Sequence, residues 1–308
     1  MSENSANLGL LAQRLCQIAG DGNVRTAEPL SEHTTFEIGG PAALFVTPGD
    51  AREMRDCIAL CRETEAPYFV LGAGSNLLVS DDGFNGVIIS LTEGLAGISV
   101  DGCELTCQAG VLLKDASETA CAHGLSGLEF ACGIPGTVGG ACFMNAGAYG
   151  GCIADVLKEV TVLTGDGRFE TLPVGELDLG YRHSRIADDD MVVVSATFAL
   201  TPGDPAEIRA TMDDLTEQRT SKQPLELPSA GSTFKRPEGY FAGKLISDAG
   251  LMGFQLGGAA VSSKHAGFVV NMGGATAADV CALIEHVQDE VERQFGVCLE
   301  PEVRMLGF

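Results

Sequence analysis

Residues 7–19 carry Leu8, Leu11, Leu15 and Ile18 at helical spacing and end at Gly20, which predicts an N-terminal helix with a glycine cap. ALFVTP (43–48) reads as a strand, and from about 50 to 65 Met54, Ile58 and Cys61 share one face of a second helix. PYFVLGAGSNLLVS (67–80) is a short buried strand running into a glycine turn, and GVIISL (86–91) is another strand. The pattern then turns to β. ISVDGCELTCQ (98–108) and VTVLTGDGRFETLP (160–173) each carry a central Asp-Gly, the strongest short hairpin signal, with a helix over 113–123 between them. MVVVSATFAL (191–200) closes the block as a buried strand, and TPGDP (201–205) marks a boundary. A charged helix to about residue 221 and the loop QPLELPSAGS follow. GKLISDAG, GFVVNM and ATAADVCALIEHVQDEVERQF then alternate helix and strand, and VCLEPEVRMLGF ends the chain as a strand. There is no internal repeat.

This order predicts an α+β architecture: a nucleotide-loop region, a hairpin-rich middle and a smaller C-terminal α/β unit. The absence of a long apolar run, and of a basic or apolar start in MSENSANLGL, leads us to expect a cytoplasmic protein without a membrane span. A formal net charge of −23 argues against nucleic acid, since phosphate-backbone binding needs clustered Lys and Arg. It also means that basic residues beside an anionic ligand are placed there for a purpose. Eleven cysteines include no CxxC pair and no Cys/His cluster, so no metal site is expected. Cys142, Cys152, Cys281 and Cys298 have apolar sequence neighbours and read as reduced core residues, none of them a nucleophile. The five histidines form no triad signature, and no GxSxG elbow surrounds Ser232.

Candidate chemistry lies in the glycine-rich stretches. Gly72-Ala73-Gly74-Ser75-Asn76 follows a strand as a phosphate-binding turn should, yet Leu77 stands where a Rossmann third glycine belongs. A structural turn and a phosphate turn both remain open. GIPGTVGGACFMNAGAYGG (133–151) is uncharged and carries Gly133, Gly136, Gly139 and Gly140 around Pro135. Its Ile134, Val138, Phe143 and Met144 are too apolar for a linker, so the tract is packed, and its bare backbone suits a flat ring or a pyrophosphate. Three polar groups complete the set: Arg182 in YRHS, Ser232 in AGSTFK and Glu302 in EPEVR. Together they would supply a carboxylate clamp, a proton donor and an electrostatic partner; apart they are a salt bridge and a loop cap. In a strand, Glu302 and Arg304 share a face.

In this order the segments TTFEIGGPA, VLGAGSNLLVSDDGF, GLSGLEFACGIPGTVGG, MNAGAYGG, YRHSR, SAGSTFKRPEGYFAGKLISDAGL, KHAGFVVN and LEPEVRMLG resemble the UDP-N-acetylenolpyruvoylglucosamine reductase (MurB) family over nearly the whole length. The resemblance implies an FAD-binding fold of the p-cresol methylhydroxylase type in two subdomains, residues 1–90 (with 300–308 returning) and 91–203, plus a substrate-binding domain over 204–299. It implies a flavoenzyme of peptidoglycan precursor synthesis that uses NADPH and FAD to reduce the enolpyruvyl ether of a UDP-sugar to UDP-N-acetylmuramate, with no obligate protein partner.

Carried over motif by motif, Gly72, Ala73, Gly74, Ser75, Asn76 and Leu77, with Gly133, Ile134, Pro135, Gly136, Thr137, Gly139 and Gly140, would hold FAD. Asn145, Gly147 and Ala148 would continue that wall, and Arg219 and Arg304 would lie beside the cofactor. Tyr149, Lys222, Lys235 and Arg236 would face the substrate. Arg182, Ser232 and Glu302 match the family's catalytic residues. One branch of the family closes its site with a tyrosine-bearing loop; no tyrosine stands between Arg182 and Ser232, so this chain resembles the branch without it. Ala73 stands where glycine is more usual and is tolerated if its φ is negative. A different oxidoreductase of the same flavin fold and a non-catalytic flavin carrier are the rival readings. The proton donor Ser232 and the complete trio argue against them.

Overall fold

A computed structural model describes residues 3–308, with side chains from residue 7 onward. Helix α1 (Glu3–Ala19) buries Leu11 and Leu15 on the expected face and stops where the Gly20 N–H reaches Cys16 O at 2.8 Å. Strand β1 (Val24–Pro29) follows, in a stretch whose mixed polarity gives no clear period, then β2 (Pro41–Val46). Asp50 caps α2 (Ala51–Glu63) by accepting from the Arg52 and Glu53 amides, and the helix buries Met54, Cys57, Ile58 and Cys61. Next come β3 (Tyr68–Leu71), β4 (Leu77–Val79) and β5 (Phe84–Ser90), with β3 and β5 paired parallel from Tyr68↔Val87 to Leu71↔Ser90.

Both Asp-Gly stretches are hairpins. β6 (Ile98–Asp101) and β7 (Glu104–Gln108) close at Asp101↔Glu104. Between the hairpins lie α3 (Leu113–Ala122), β8 (Leu125–Ser126), α4 (Val138–Met144), β9 (Gly147–Ala148) and β10 (Gly151–Cys152). The second hairpin, β11 (Leu157–Leu163) and β12 (Phe169–Pro173), closes at Leu163↔Phe169. Then follow α5 (Arg185–Asp188), β13 (Val192–Ala199), β14 (Thr201–Pro202) and α6 (Pro205–Lys222). The last segment contains β15 (Ser229–Ser232), α7 (Ala242–Asp248), β16 (Gln255–Leu256), β17 (Ala259–Val261), β18 (Phe268–Asn271), α8 (Ala277–Phe295) and β19 (Arg304–Leu306).

The chain divides into two compact units. The first contains the residues up to Arg25, Leu44–Ala73 and Gly86–Arg219. Its antiparallel sheet has the order β12-β11-β13-β7-β6, and one apolar core joins Val160 and Val162 of β11, Ala196 and Phe198 of β13, and Ala141 and Cys142 of α4. The second contains Thr26–Ala43, Gly74–Asn85 and Thr220–Phe308. Here β15-β18-β17-β16 form an antiparallel sheet, while β19 pairs parallel with β4 from Arg304↔Leu77 to Leu306↔Val79. Its core joins Leu283, Ile284 and Val287 of α8 to Phe36, Ile38, Leu78 and Val269.

Three local expectations are corrected. The closing strand is only Arg304–Leu306: Leu299 O accepts from Gln288 Nε2 at 2.8 Å, and Pro301 has no N–H for a ladder, so Glu302 precedes the strand. Ser232 is the last residue of β15, opposite Phe268, and not a loop residue. Cys298 is exposed, its thiol 3.2 Å from Glu292 Oε1, whereas Cys142 is buried. Burial pushes Cys57, Cys107 and Cys142 up to about 12, so these thiols stay protonated.

Candidate active site

The uncharged tract is not loop throughout. Thr137 caps α4, its Oγ1 accepting from Gly140 N at 3.3 Å, and Asn145 ends the helix in the left-handed conformation. The Val138 and Gly139 amides donate to Val111 O and Ala109 O at 2.8 and 2.9 Å, which spends them inside the fold. The Gly133 and Gly136 amides, by contrast, make no hydrogen bond among the described residues. Gly72 backs onto Thr137 so closely that a Cβ there would lie 2.6 Å from Thr137 Oγ1. The first glycine of GAGSN and the helix cap of GIPGTVGG are therefore in direct contact.

Arg219, at the end of α6, lies across Gly133: a Cβ on Gly133 would sit 2.9 Å from Arg219 Cδ. The residue is 9% exposed, and no hydrogen bond or ion pair of its guanidinium is found among the described residues. Burial holds its pKa below the ordinary value, partly offset by Tyr149 and Cys132 nearby. Beyond α4, β9 and β10 pair Gly147↔Cys152 and Ala148↔Gly151, leaving Tyr149 and Gly150 as a two-residue turn at φ 54 and 87. Tyr149 is exposed. Arg182 occupies a similar turn, bridged Gly180↔His183, at φ 54 with its guanidinium 5.2 Å from the Tyr181 ring centroid. Positive φ at a non-glycine residue is uncommon, so both side chains are presented by backbone that the surrounding fold must hold.

The second unit brings Ser232 and Glu302 onto neighbouring segments. Glu302 N donates to Thr233 O and Lys235 N to Glu300 O, both at 2.8 Å, around the Phe234↔Pro301 bridge. Asn76 belongs to the same network: its Nδ2 donates to Glu302 O at 3.0 Å and its O accepts from Arg304 N at 3.0 Å. Leu77 pairs with Arg304 through β4 and β19. Gly74 needs the left-handed region, at φ 61, and a Cβ would fall 2.0 Å from His33 O. Ala73 is not among the positive-φ residues, which meets the condition for tolerating its methyl.

The candidate substrate lysine Lys235 is ion-paired with Glu300, and Arg236 packs on the Phe241 ring with its Cζ 3.9 Å from the centroid. Lys222 is exposed at the end of α6. Sequence reading gave Asn145 only a cofactor role and did not single out Ser184 or Gln288. Asn145 and Ser184 bond to backbone far along the chain, and a one-dimensional pattern carries no signal for that.

Residues 42–173 match the model of an FAD binding domain, and residues 223–306 that of the UDP-N-acetylenolpyruvoylglucosamine reductase C-terminal domain. The chain is 52% identical over 293 residues to UDP-N-acetylenolpyruvoylglucosamine reductase of Clostridium perfringens, covering 95% of this chain and 96% of that protein. The chain belongs to the UDP-N-acetylenolpyruvoylglucosamine reductase (MurB) family. The Pediococcus pentosaceus member is 50% identical, over 97% of this chain and 99% of its own. The crystal structure of MurB from Thermus caldophilus matches with a TM-score of 0.78 at 38% identity, covering 90% of this chain and 97% of that one. As a MurB-family member the chain is an oxidoreductase with an FAD-binding domain.

The residues present fit FAD. Among the described residues Arg219 is a buried cation with no protein anion to neutralise it, it lies against Gly133, and the Gly133 and Gly136 amides make no hydrogen bond; a pyrophosphate supplies both the charge and the acceptors. The FAD-binding model spans Gly72–Leu77 and Gly133–Tyr149, and the MurB C-terminal model spans Ser232, Lys235, Arg236, Glu302 and Arg304. Arg182, Arg219 and Lys222 fall outside both. Among the described residues no helix is long and apolar enough to cross a membrane.

Proposed function

We propose that this MurB-family protein uses NADPH to reduce UDP-N-acetylenolpyruvoylglucosamine to UDP-N-acetylmuramate, for peptidoglycan precursors, in the cytoplasm. The observation that carries the reading is the pairing of the Ser232 and Glu302 segments inside the region matched by the MurB C-terminal domain, Glu302 N donating to Thr233 O at 2.8 Å. FAD, when bound, would supply the chemistry of hydride addition to the enolpyruvyl methylene carbon at the expense of NADPH. Gly133 and Gly136 amides with Arg219 would hold its pyrophosphate, and the remaining GAGSN and GIPGTVGG residues, Gly147, Ala148 and Arg304 would line the cofactor.

The addition leaves negative charge on the carbon beside the substrate carboxylate. Arg182 supports that charge with a planar guanidinium able to meet a carboxylate in two parallel hydrogen bonds. Glu302 orients the site electrostatically. Ser232 then donates its hydroxyl proton to the charged carbon and recovers a proton from solvent. Tyr149, Lys222, Lys235 and Arg236 would face the substrate, Lys235 less strongly because Glu300 already offsets its charge.

Ser232→Ala tests the assignment. Truncating a positioned general acid costs about 10²–10⁴ in rate. The variant keeps its yellow flavin and is reduced by NADPH at the wild-type rate, but reoxidation by substrate slows by that factor. Normal reoxidation in stopped flow would remove Ser232 from the mechanism.

A further inference from the structure

The turn that carries Arg182 is tied at both ends to one short helix. Gly180 and His183 exchange backbone hydrogen bonds at 3.1 and 3.4 Å, so Tyr181 and Arg182 are the two residues of a tight loop. Before the loop, Asn145 Nδ2 donates to Gly180 O at 2.9 Å, while Asn145 Oδ1 accepts from Ala154 N at 3.0 Å. After it, Ser184 Oγ donates to Phe143 O at 2.6 Å. Both side chains are buried, Ser184 completely. Their anchors, Phe143 and Asn145, are the C-terminal end of α4, and the other end of that helix is the Thr137 cap of the GIPGTVGG motif. The amide expected to line the cofactor is thus engaged within the fold. Arg182 itself stands in a backbone conformation that L residues seldom adopt, so its direction depends on what clamps the turn.

We propose that Asn145 and Ser184 are positioning residues for Arg182: their two hydrogen bonds to the turn and to α4 set the guanidinium at a defined distance from the cofactor motif at the other end of the same helix. The proposal rests on the role given to Arg182 above. It explains why a left-handed helix end carries Asn and not Gly: glycine would satisfy the backbone, but only the amide reaches Gly180 O.

The test uses full-length, flavin-loaded enzyme. Asn145→Gly keeps the left-handed cap and removes the amide. Asn145→Asp keeps the acceptor for Ala154 N–H and loses the donor to Gly180 O. Ser184→Ala removes the second clamp and makes the same comparison if Asn145→Gly does not fold. Each variant retains flavin. After dithionite reduction, reoxidation by UDP-N-acetylenolpyruvoylglucosamine slows by about 10²-fold, the scale of a reacting group displaced by an ångström. In an Arg182→Ala background the same changes alter the rate by no more than about twofold. Amide hydrogen exchange of residues 180–184 accelerates without substrate present. Wild-type reoxidation by Asn145→Gly and Ser184→Ala, beside a crippled Arg182→Ala, overturns the proposal alone. Additive losses in the Arg182→Ala background, or full rescue by Asn145→Asp, also overturn it. An Arg182→Ala enzyme that reoxidises normally overturns the reading beneath it.

Discussion

Arg219 pairs a permanent charge with burial and has no protein partner among the described residues, so its two substitution effects have opposite signs. In Arg219→Met, the apoprotein unfolds at an equal or higher temperature because a desolvated charge is gone. FAD affinity falls about 10- to 100-fold, the range of one hydrogen bond to a charged group, as read by flavin fluorescence titration. An apoprotein destabilised by the change would show that the guanidinium has a structural task. Gly74→Ala acts differently: φ 61 and the 2.0 Å approach of His33 O make both the backbone and the space unfavourable. Its thermal unfolding falls by several degrees. His265 adds a pH dependence. Burial lowers its imidazole pKa below the usual 6.5, and Nδ1 accepts from Gly267 N at 3.1 Å, which requires the ring unprotonated at that atom. The unfolded chain therefore binds more protons below about pH 6.5, and stability is lost as pH falls through that window. Urea midpoints at pH 7.0 and 5.5 should converge in His265→Asn relative to wild type.

At the scale of elements, α8 shows how the sequence specifies an end. Thr276 and Asp279 form a capping box, and Asp81 accepts from the Ala277 and Ala278 amides at 2.8 and 3.1 Å. Thr276→Val costs about 1 kcal/mol in denaturant titration. The Asp279 carboxylate is held below its ordinary pKa, chiefly by the Gly258 amide and then by that of Thr276. Its contribution is present above about pH 4 and fades as pH falls through the depressed value. The helices with an apolar stripe, and the hairpins with Asp-Gly, were legible in the sequence because local pattern and tertiary packing agree there. Two elements were not. α4 has two glycines and no cap signal beyond Thr137, and its stability comes from packing Val138, Ala141 and Cys142 into the core. β1 has neither a clear period nor an apolar face. The candidate site was legible as motifs. The burial of Arg219 was not, because α6 is polar on most of its length.

For the whole molecule, charge sets the approach of ligands. A net charge of −23 repels anions such as the NADPH and UDP-sugar proposed above over the Debye length, about 30 Å at 0.01 M salt and about 8 Å at 0.15 M. Association rates for both ligands therefore rise as salt is raised across that range. A fall would mean that cations at the ligand sites, and not the net charge, dominate the encounter.

The parallel pair of β4 with β19 joins Leu77–Val79 to Arg304–Leu306, two segments made more than 200 residues apart in a vectorial process. At an ordinary pace of synthesis β19 follows β4 by roughly ten to forty seconds. Through that interval Leu77, Leu78 and Val79, all buried in the finished protein, wait without their ladder. Emergence of Arg304–Leu306 is thus the event that gives β4 its ladder, and a nascent chain stalled between β4 and residue 304 should be bound by chaperones at this apolar trio.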